Sequence, residues 1–288
     1  MARIRNTWEL AKASWEVLKA DKELLALPVM SAVAVIVVAL AFIAPVALIG
    51  NELSQGAEEL DPGPLGYILL AMGYFAATFV GIFFNAALVS GAHERLTGGD
   101  PTVRSALRGA SSRFHRLLPW ALLTGTVGLI LQAIEARFGF LGDIIARLVG
   151  VAWRLVTFLV IPVLVIEDVG PIDGLKRSGT LFKKTWGENV AASVGFGLLG
   201  LALIIPAVIV AGLLIATEIV ALMVIGVVAA VVWVIGSVVV VSALSGIFQT
   251  ALYLYAVNDQ VPEGFDQAAL AGAFTPRRGT RGPTGFAG

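Results

Sequence analysis

The chain has 288 residues, 58% hydrophobic and 14% charged, with 20 basic and 20 acidic side chains and no cysteine. Soluble domains run at about 45–50% apolar and about 25% charged, so an aqueous core cannot absorb this much apolar surface and lipid must take up the excess. The lack of cysteine excludes disulfides, thiolate metal sites and cysteine nucleophiles together; the net charge of zero hides a strong segregation and by itself says nothing about partners, and no nucleic-acid partner is expected.

In chain order, residues 6–23 carry Glu9, Lys12, Glu16, Lys19, Asp21, Lys22 and Glu23 before the first long apolar run. A cleavable signal passes from a basic stretch directly into a short apolar core. This N-terminus does not, and is expected to stay in the mature protein. Within it, Trp8, Ala11, Trp15 and Leu18 share a helical stripe, with Lys12, Glu16 and Lys19 opposite, which predicts an amphipathic helix over 7–20.

Apolar runs follow at about 24–49, 65–91, 117–136, 145–166, 190–216 and 219–256. A hydrocarbon core of about 30 Å needs about 20 helical residues, and continuous rather than alternating hydrophobicity excludes a β-barrel. The predicted fold class is an all-α polytopic membrane protein with six spans. Residues 190–257 are almost unbroken, so the turn between the last two spans is placed at Thr217-Glu218. The last helix is then overlong and expected to tilt, to bend near Gly226, Gly236 or Gly246, or to project past the bilayer. One membrane domain covers 1–274, and the Gly/Pro-rich tail 275–288 is expected to be disordered and cytoplasmic.

Charge sets the orientation. Of the 20 Lys and Arg, seventeen lie in 1–23, 92–116, 167–188 and 258–288, which are alternate connections plus both termini. The segment 50–64 has none and carries Glu52, Glu58, Glu59 and Asp61; Arg137 and Arg147 lie in or beside the other outer loop, 137–144. Basic loops stay inside, so both termini are expected in the cytoplasm of a bacterial inner membrane; heavy Ala, Val, Gly and Arg usage fits a GC-rich bacterium.

The basic connections repeat a pattern. After Asp100-Pro101, Val103, Leu107, Ala110, Phe114 and Leu117 form a stripe over 101–116; after Pro171, Ile172, Leu175, Phe182 and Trp186 form one over 171–186. Proline suits a first helical turn. Each helix also places a serine after a leucine: Leu10 and Ser14, Leu107 and Ser111, Leu175 and Ser178. The chain thus divides into three units of interfacial helix plus transmembrane hairpin. Trp8, Trp15, Trp120 and Trp186, with Arg104, Arg108, Lys183 and Lys184, are the expected contacts to the headgroup layer and its anionic lipids.

Three stretches carry a family resemblance: Ser14 to Leu24, Arg177-Ser178 leading to Lys184-Thr185-Trp186-Gly187-Glu188-Asn189, and Ala251 to Ala256 followed by Gly264-Phe265. With these the chain resembles a family of uncharacterised bacterial integral membrane proteins, a domain of unknown function, over nearly its whole length except the tail. The layout of interfacial helix plus hairpin is also similar to the membrane domain of some glycerophosphodiester phosphodiesterases, without their catalytic domain. The resemblance implies a fold and brings no activity.

Chemistry is sparse. Gly195-Phe196-Gly197-Leu198-Leu199-Gly200 spells a dinucleotide fingerprint but sits inside an apolar run, where close helix packing explains it better. Packing is the reading for Gly73, Ala77 and Gly81, and for Gly226, Gly236 and Gly246. His93 and His115 have no second histidine at ligand spacing; His93 is expected to be solvated and His115 to meet headgroups. Glu167-Asp168 is read as a solvated pair capping the third interfacial helix. No catalytic, cofactor or metal constellation is found, so no enzyme and no cofactor are expected. Arg154, about ten residues into the fourth span, is the main intramembrane pointer. It is expected to face the interior or a polar cavity and to pair with Glu135, with Arg147 one heptad earlier and Gln132 nearby. Asn85, Gln249 and Thr250 are interhelical hydrogen-bond candidates. Two functions remain: a scaffold or assembly subunit gripping anionic lipid and partner proteins, homo-oligomeric or part of a complex, and a channel or passive facilitator with a polar path near Arg154. A lipid-modifying enzyme comes third for want of catalytic groups.

Overall fold

The computed structural model describes residues 2–53, 62–186, 191–217, 219–258, 261, 262 and 265; side chains are described for 10–48, 62–139, 142–183, 200–217, 219–258, 261, 262 and 265. Among the described residues every regular element is a helix: α1 (Ala2–Ala20), α2 (Glu23–Leu53), α3 (Gly63–Leu96), α4 (Val103–Ser112), α5 (Phe114–Thr157), α6 (Val160–Ile166), α7 (Pro171–Trp186), α8 (Ala191–Ile215) and α9 (Val220–Asn258). Five stretches are long and apolar enough to cross a bilayer: Glu23–Leu48, Gly63–Leu96, Phe114–Gly139, Gly142–Ile166 and Val220–Asn258. Gly200–Ile215, the part of α8 with described side chains, is a shorter apolar helix. The chain is an all-α, membrane-embedded protein. The acidic segment 54–61, Glu218 and the tail 275–288 lie outside the described residues.

Small residues bring the long helices together in antiparallel pairs. Gly73 faces Phe42 and Gly91 faces Leu24 across α2 and α3; Gly226 faces Leu214 across α8 and α9. Gly246 meets Leu88, joining α9 to α3. The expected packing role thus holds for Gly73, Gly226 and Gly246, while Gly81 and Gly236 face open space. Two spans merge into α5, where the chain reverses at Gly139 (φ 54°, ψ −136°), a left-handed conformation that glycine adopts without penalty. The long α9 runs unbroken from Val220 to Asn258, about 58 Å at 1.5 Å per residue and far more than a hydrocarbon core needs.

A second break, between Thr157 and Val160, separates α5 from α6. Pro162 cannot donate the helical hydrogen bond four residues back, and its ring crowds the Phe158 carbonyl. Ser178 of α7 fills the gap: its Oγ donates to the Val156 carbonyl (2.5 Å) and accepts from the Leu159 N–H (3.2 Å). One hydroxyl serves as donor and acceptor at once.

The three helices over basic segments gather at one end of the molecule, which we call the girdled end. α4 packs on α3 and touches α2; α7 packs on α5 and α6; α1 packs on α9 and touches α8. Each therefore leans on the helix pair that precedes it, and α1 closes the ring by leaning on the last pair. The core sits at the same end, built from Ala86–Val89 of α3, Val160–Leu164 of α6 and Ala243–Leu252 of α9. Farther away, large aliphatics such as Val37, Leu40, Leu213 and Val232 are exposed, an extended apolar surface suited to lipid.

The buried stripes differ in detail from those expected. On α1, Leu10, Ala11, Ser14, Val17 and Leu18 are buried while Trp15 is 41% exposed. On α7, Gly174, Ser178 and Leu181 turn inward while Ile172 is exposed. Small residues let these helices approach closely, so the docked face centres on Ser and Gly rather than on the largest side chains. The leucine–serine pattern finds a buried serine at Ser14 and Ser178, whereas Ser111 is exposed.

Candidate functional site

At the girdled end, polar side chains staple each connection to its neighbours. The α1–α2 turn presents Asp21, whose Oδ2 lies 2.9 Å from Arg95 Nε at the end of α3. Burial pushes the Asp21 carboxyl above its ordinary value, and nearby Arg95 only partly offsets this. Glu23 accepts the Val103 N–H at the start of α4 (2.9 Å), an anion on a helix N-terminus. Thr102 and Ser105 form a reciprocal cap there, and the Ser105 hydroxyl donates to Glu94 (2.8 Å). In the second unit, Asp168 lies 2.8 Å from Arg113 and 3.6 Å from Arg116, while Arg113 Nε donates to the Val165 carbonyl. Asp168 takes a left-handed conformation (φ 54°). Glu167 accepts from Arg177 of α7 (3.1 Å) and from the Tyr253 hydroxyl of α9 (2.9 Å).

These contacts correct the reading of Glu167-Asp168 as solvated caps. Each acid is held by basic side chains from flanking helices, and Tyr253 ties the centre of the molecule to α7 through Glu167. Long-range pairing of this kind has no sequence signature beyond alternating charge in the connections. His93 is half-buried rather than fully solvated. It lines a pocket with Leu96, Thr97, Leu254, Asn258 and Pro262, and its Nδ1 is buried with no hydrogen-bond partner. His115 is exposed, as a headgroup contact needs.

The expected interface residues divide. Arg104, Arg108 and Lys183 are exposed at the girdled end, and Trp15 is partly so. Trp120 instead is 3% exposed and stacks on Trp153 with ring centroids 6.1 Å apart, because α5 folds back on itself and brings the two rings together. It belongs to the core. The side chains of Trp8, Trp186 and Lys184 lie outside the described residues.

The expected intramembrane constellation does not assemble. Arg154 lies on the exposed face of α5, with Nε 3.4 Å from the Gly150 carbonyl and no carboxylate within salt-bridge distance among the described residues. Glu135 and Gln132 are exposed, and Arg147 pairs with Asp143 one turn back at 2.7 Å. Spacing put Arg154 and Arg147 on one face correctly; that face points outward. Thr250 bonds to Gly246 of its own helix, and Asn85 Oδ1 is buried without a partner, so neither makes the interhelical bond expected. A bond that spacing did not suggest links α8 to α9, where Trp233 Nε1 donates to the Leu203 carbonyl (2.8 Å). Gly195 to Gly200 lie within helix α8, with no strand among the described residues to form a nucleotide site.

A protein-family profile described as a family of unknown function (DUF6159) matches residues 64–264. No curated protein and no solved structure shows significant similarity to the chain.

Proposed function

The chain belongs to DUF6159, a family of unknown function, and from that footing we propose that it is a non-enzymatic membrane scaffold whose girdled end lies in the inner leaflet of a bacterial cytoplasmic membrane. On this reading the three helix pairs make six spans, both termini are cytoplasmic, and α1, α4 and α7 lie at the headgroup layer. One observation carries it. At the girdled end, α1, α7 and the α4–α5 junction each carry both exposed apolar and exposed basic side chains: Trp15 and Lys12 on α1, Phe114 and Arg108 about the junction, Ile172 and Lys183 on α7. Apolar insertion beside basic groups is the recipe for binding an anionic interface. The staples to α3, α6 and α9 then turn a lipid contact into a fixed platform for partner proteins. The likeness to phosphodiesterase membrane domains is one of layout and implies no hydrolysis.

The test uses the full chain in detergent. Phosphatidylglycerol is expected to raise the melting temperature more than phosphatidylcholine does. Replacing Arg104, Arg108 and Lys183 by Gln should weaken apparent phosphatidylglycerol affinity by about five-fold per charge, at about 1 kcal/mol per basic residue near an anionic surface. Equal stabilisation by both lipids, or an unchanged triple variant, overturns the reading.

Arg154 favours a second reading, a passive path along an oligomer axis. It is an exposed arginine twelve residues from each end of the span Gly142–Ile166, where lipid contact costs at least about 2.5–3.5 kcal/mol. A subunit contact would remove that exposure. Arg154→Leu should then shift the oligomeric state by native mass spectrometry and alter ion flux through vesicles; no change in either removes this reading.

A further inference from the structure

Between α2, α3 and α9 lies a cavity of about 480 Å3 that the girdled-end reading does not use. Five uncharged hydrogen-bonding side chains converge on it: Ser31 from α2, Asn85 from α3, and Ser242, Ser245 and Gln249 from α9. The remaining wall is apolar, no charged residue lines it among the described residues, and Gly81 faces it without a side chain. Ile235, Val238 and Ser242 at its rim are exposed, so it opens sideways onto the lipid-facing surface. Ser31, Gln249 and Asn85 lie eight, nine and eleven residues from the girdled ends of their helices, about 12–17 Å at 1.5 Å per residue.

This chemistry selects an occupant. Asn85 Oδ1 is buried and unpartnered, and such an acceptor in a hydrocarbon setting calls for a donor from whatever fills the space. A phosphate would be stranded there without a counter-charge. The volume far exceeds the roughly 30 Å3 share of one water, and the apolar walls favour hydrocarbon over a water cluster. We infer that the cavity binds a neutral, hydroxyl-bearing lipid of the diacylglycerol class, entering from the bilayer with its hydroxyl donated to Asn85 and its ester carbonyls toward the serines and Gln249.

The experiment uses the full chain in phosphatidylcholine nanodiscs with a photoactivatable diacylglycerol and its acetyl-capped analogue. The free-hydroxyl probe should cross-link to α2, α3 and α9 and be displaced by unlabelled diacylglycerol. Losing the Asn85 hydrogen bond in Asn85→Leu should lower labelling about five-fold. Ala32→Phe, which fills the space from the opposite wall, should abolish it. If Asn85→Leu does not fold, Asn85→Ala, with the same expected loss, and Ala32→Phe carry the test. The triple variant at Arg104, Arg108 and Lys183 should label normally, which separates this site from lipid binding at the girdled end. Equal labelling by the capped analogue, labelling that survives Ala32→Phe, or stronger displacement by a quinone without a hydroxyl overturns the proposal.

Discussion

Asp21 and Arg95 form a close pair, 2.9 Å apart, in which the acid is nearly buried and the arginine half-exposed. Arg95→Ala should strand the carboxylate and lower stability by about 1–3 kcal/mol, whereas Asp21→Asn, which also removes the buried charge, should cost less. Because burial holds the folded Asp21 above its ordinary value of 3.8, the folded chain keeps a proton that the unfolded chain has lost in the window just above that value. Relief of the buried charge should therefore make folding stability rise as pH falls from neutral into that window, and Asp21→Asn should flatten the rise in melts run across it. Asp168 combines two demands, a left-handed backbone (φ 54°) and a charge between Arg113 and Arg116. Asparagine tolerates the backbone but not the charge role, and alanine meets neither. Asp168→Ala should thus be less stable than Asp168→Asn by about 1–2 kcal/mol in thermal melts.

At the level of elements, the girdle depends on backbone proximity more than on side-chain bulk. Gly109 of α4 sits directly against Ser90 of α3. Gly109→Ala should lower stability by about 1–3 kcal/mol through overpacking, and a compensating Ser90→Gly should recover much of it in a double-mutant cycle. Ser178→Ala should leave the Leu159 N–H and Val156 carbonyl short of a partner at the α5–α6 break, at about 1–3 kcal/mol. The elements themselves were legible in the sequence. The all-helical character and the presence of several helices long and apolar enough to cross a bilayer follow from the pattern, whereas the apolar run at 190–216 corresponds to the shorter described apolar helix Gly200–Ile215, and the helix expected over 101–116 is interrupted at Arg113 between α4 and α5. Periodicity and hydropathy are local, so they carry over well. The direction in which a face points is not local. Arg154 and Trp120 were each assigned a setting by depth alone, yet α5 turns the first outward and stacks the second on Trp153. The Glu167–Tyr253 bond spans 86 residues and could not be read from either segment.

For the whole molecule, the placement of its ends across the bilayer is the first thing to measure. The chain has no cysteine, so Ser111→Cys and Thr217→Cys, both at exposed positions, give clean reporters. A membrane-impermeant thiol reagent applied to sealed cells should label Thr217→Cys and spare Ser111→Cys; the reverse pattern inverts the proposed orientation. The closed ring of contacts has a consequence in time as well as in space. Helix α1 is synthesised before the other described helices, yet its partner α9 is synthesised after them. Until α8 and α9 are made, Leu10, Val17 and Leu18 lack the helices that α1 mainly packs against, and the nascent helix is expected to rest on the membrane surface or on an insertion factor. The girdle cannot be completed until translation has passed residue 258, so a helix made before the others becomes the last to dock, and a stalled or shortened chain would display it undocked to the cell's quality control.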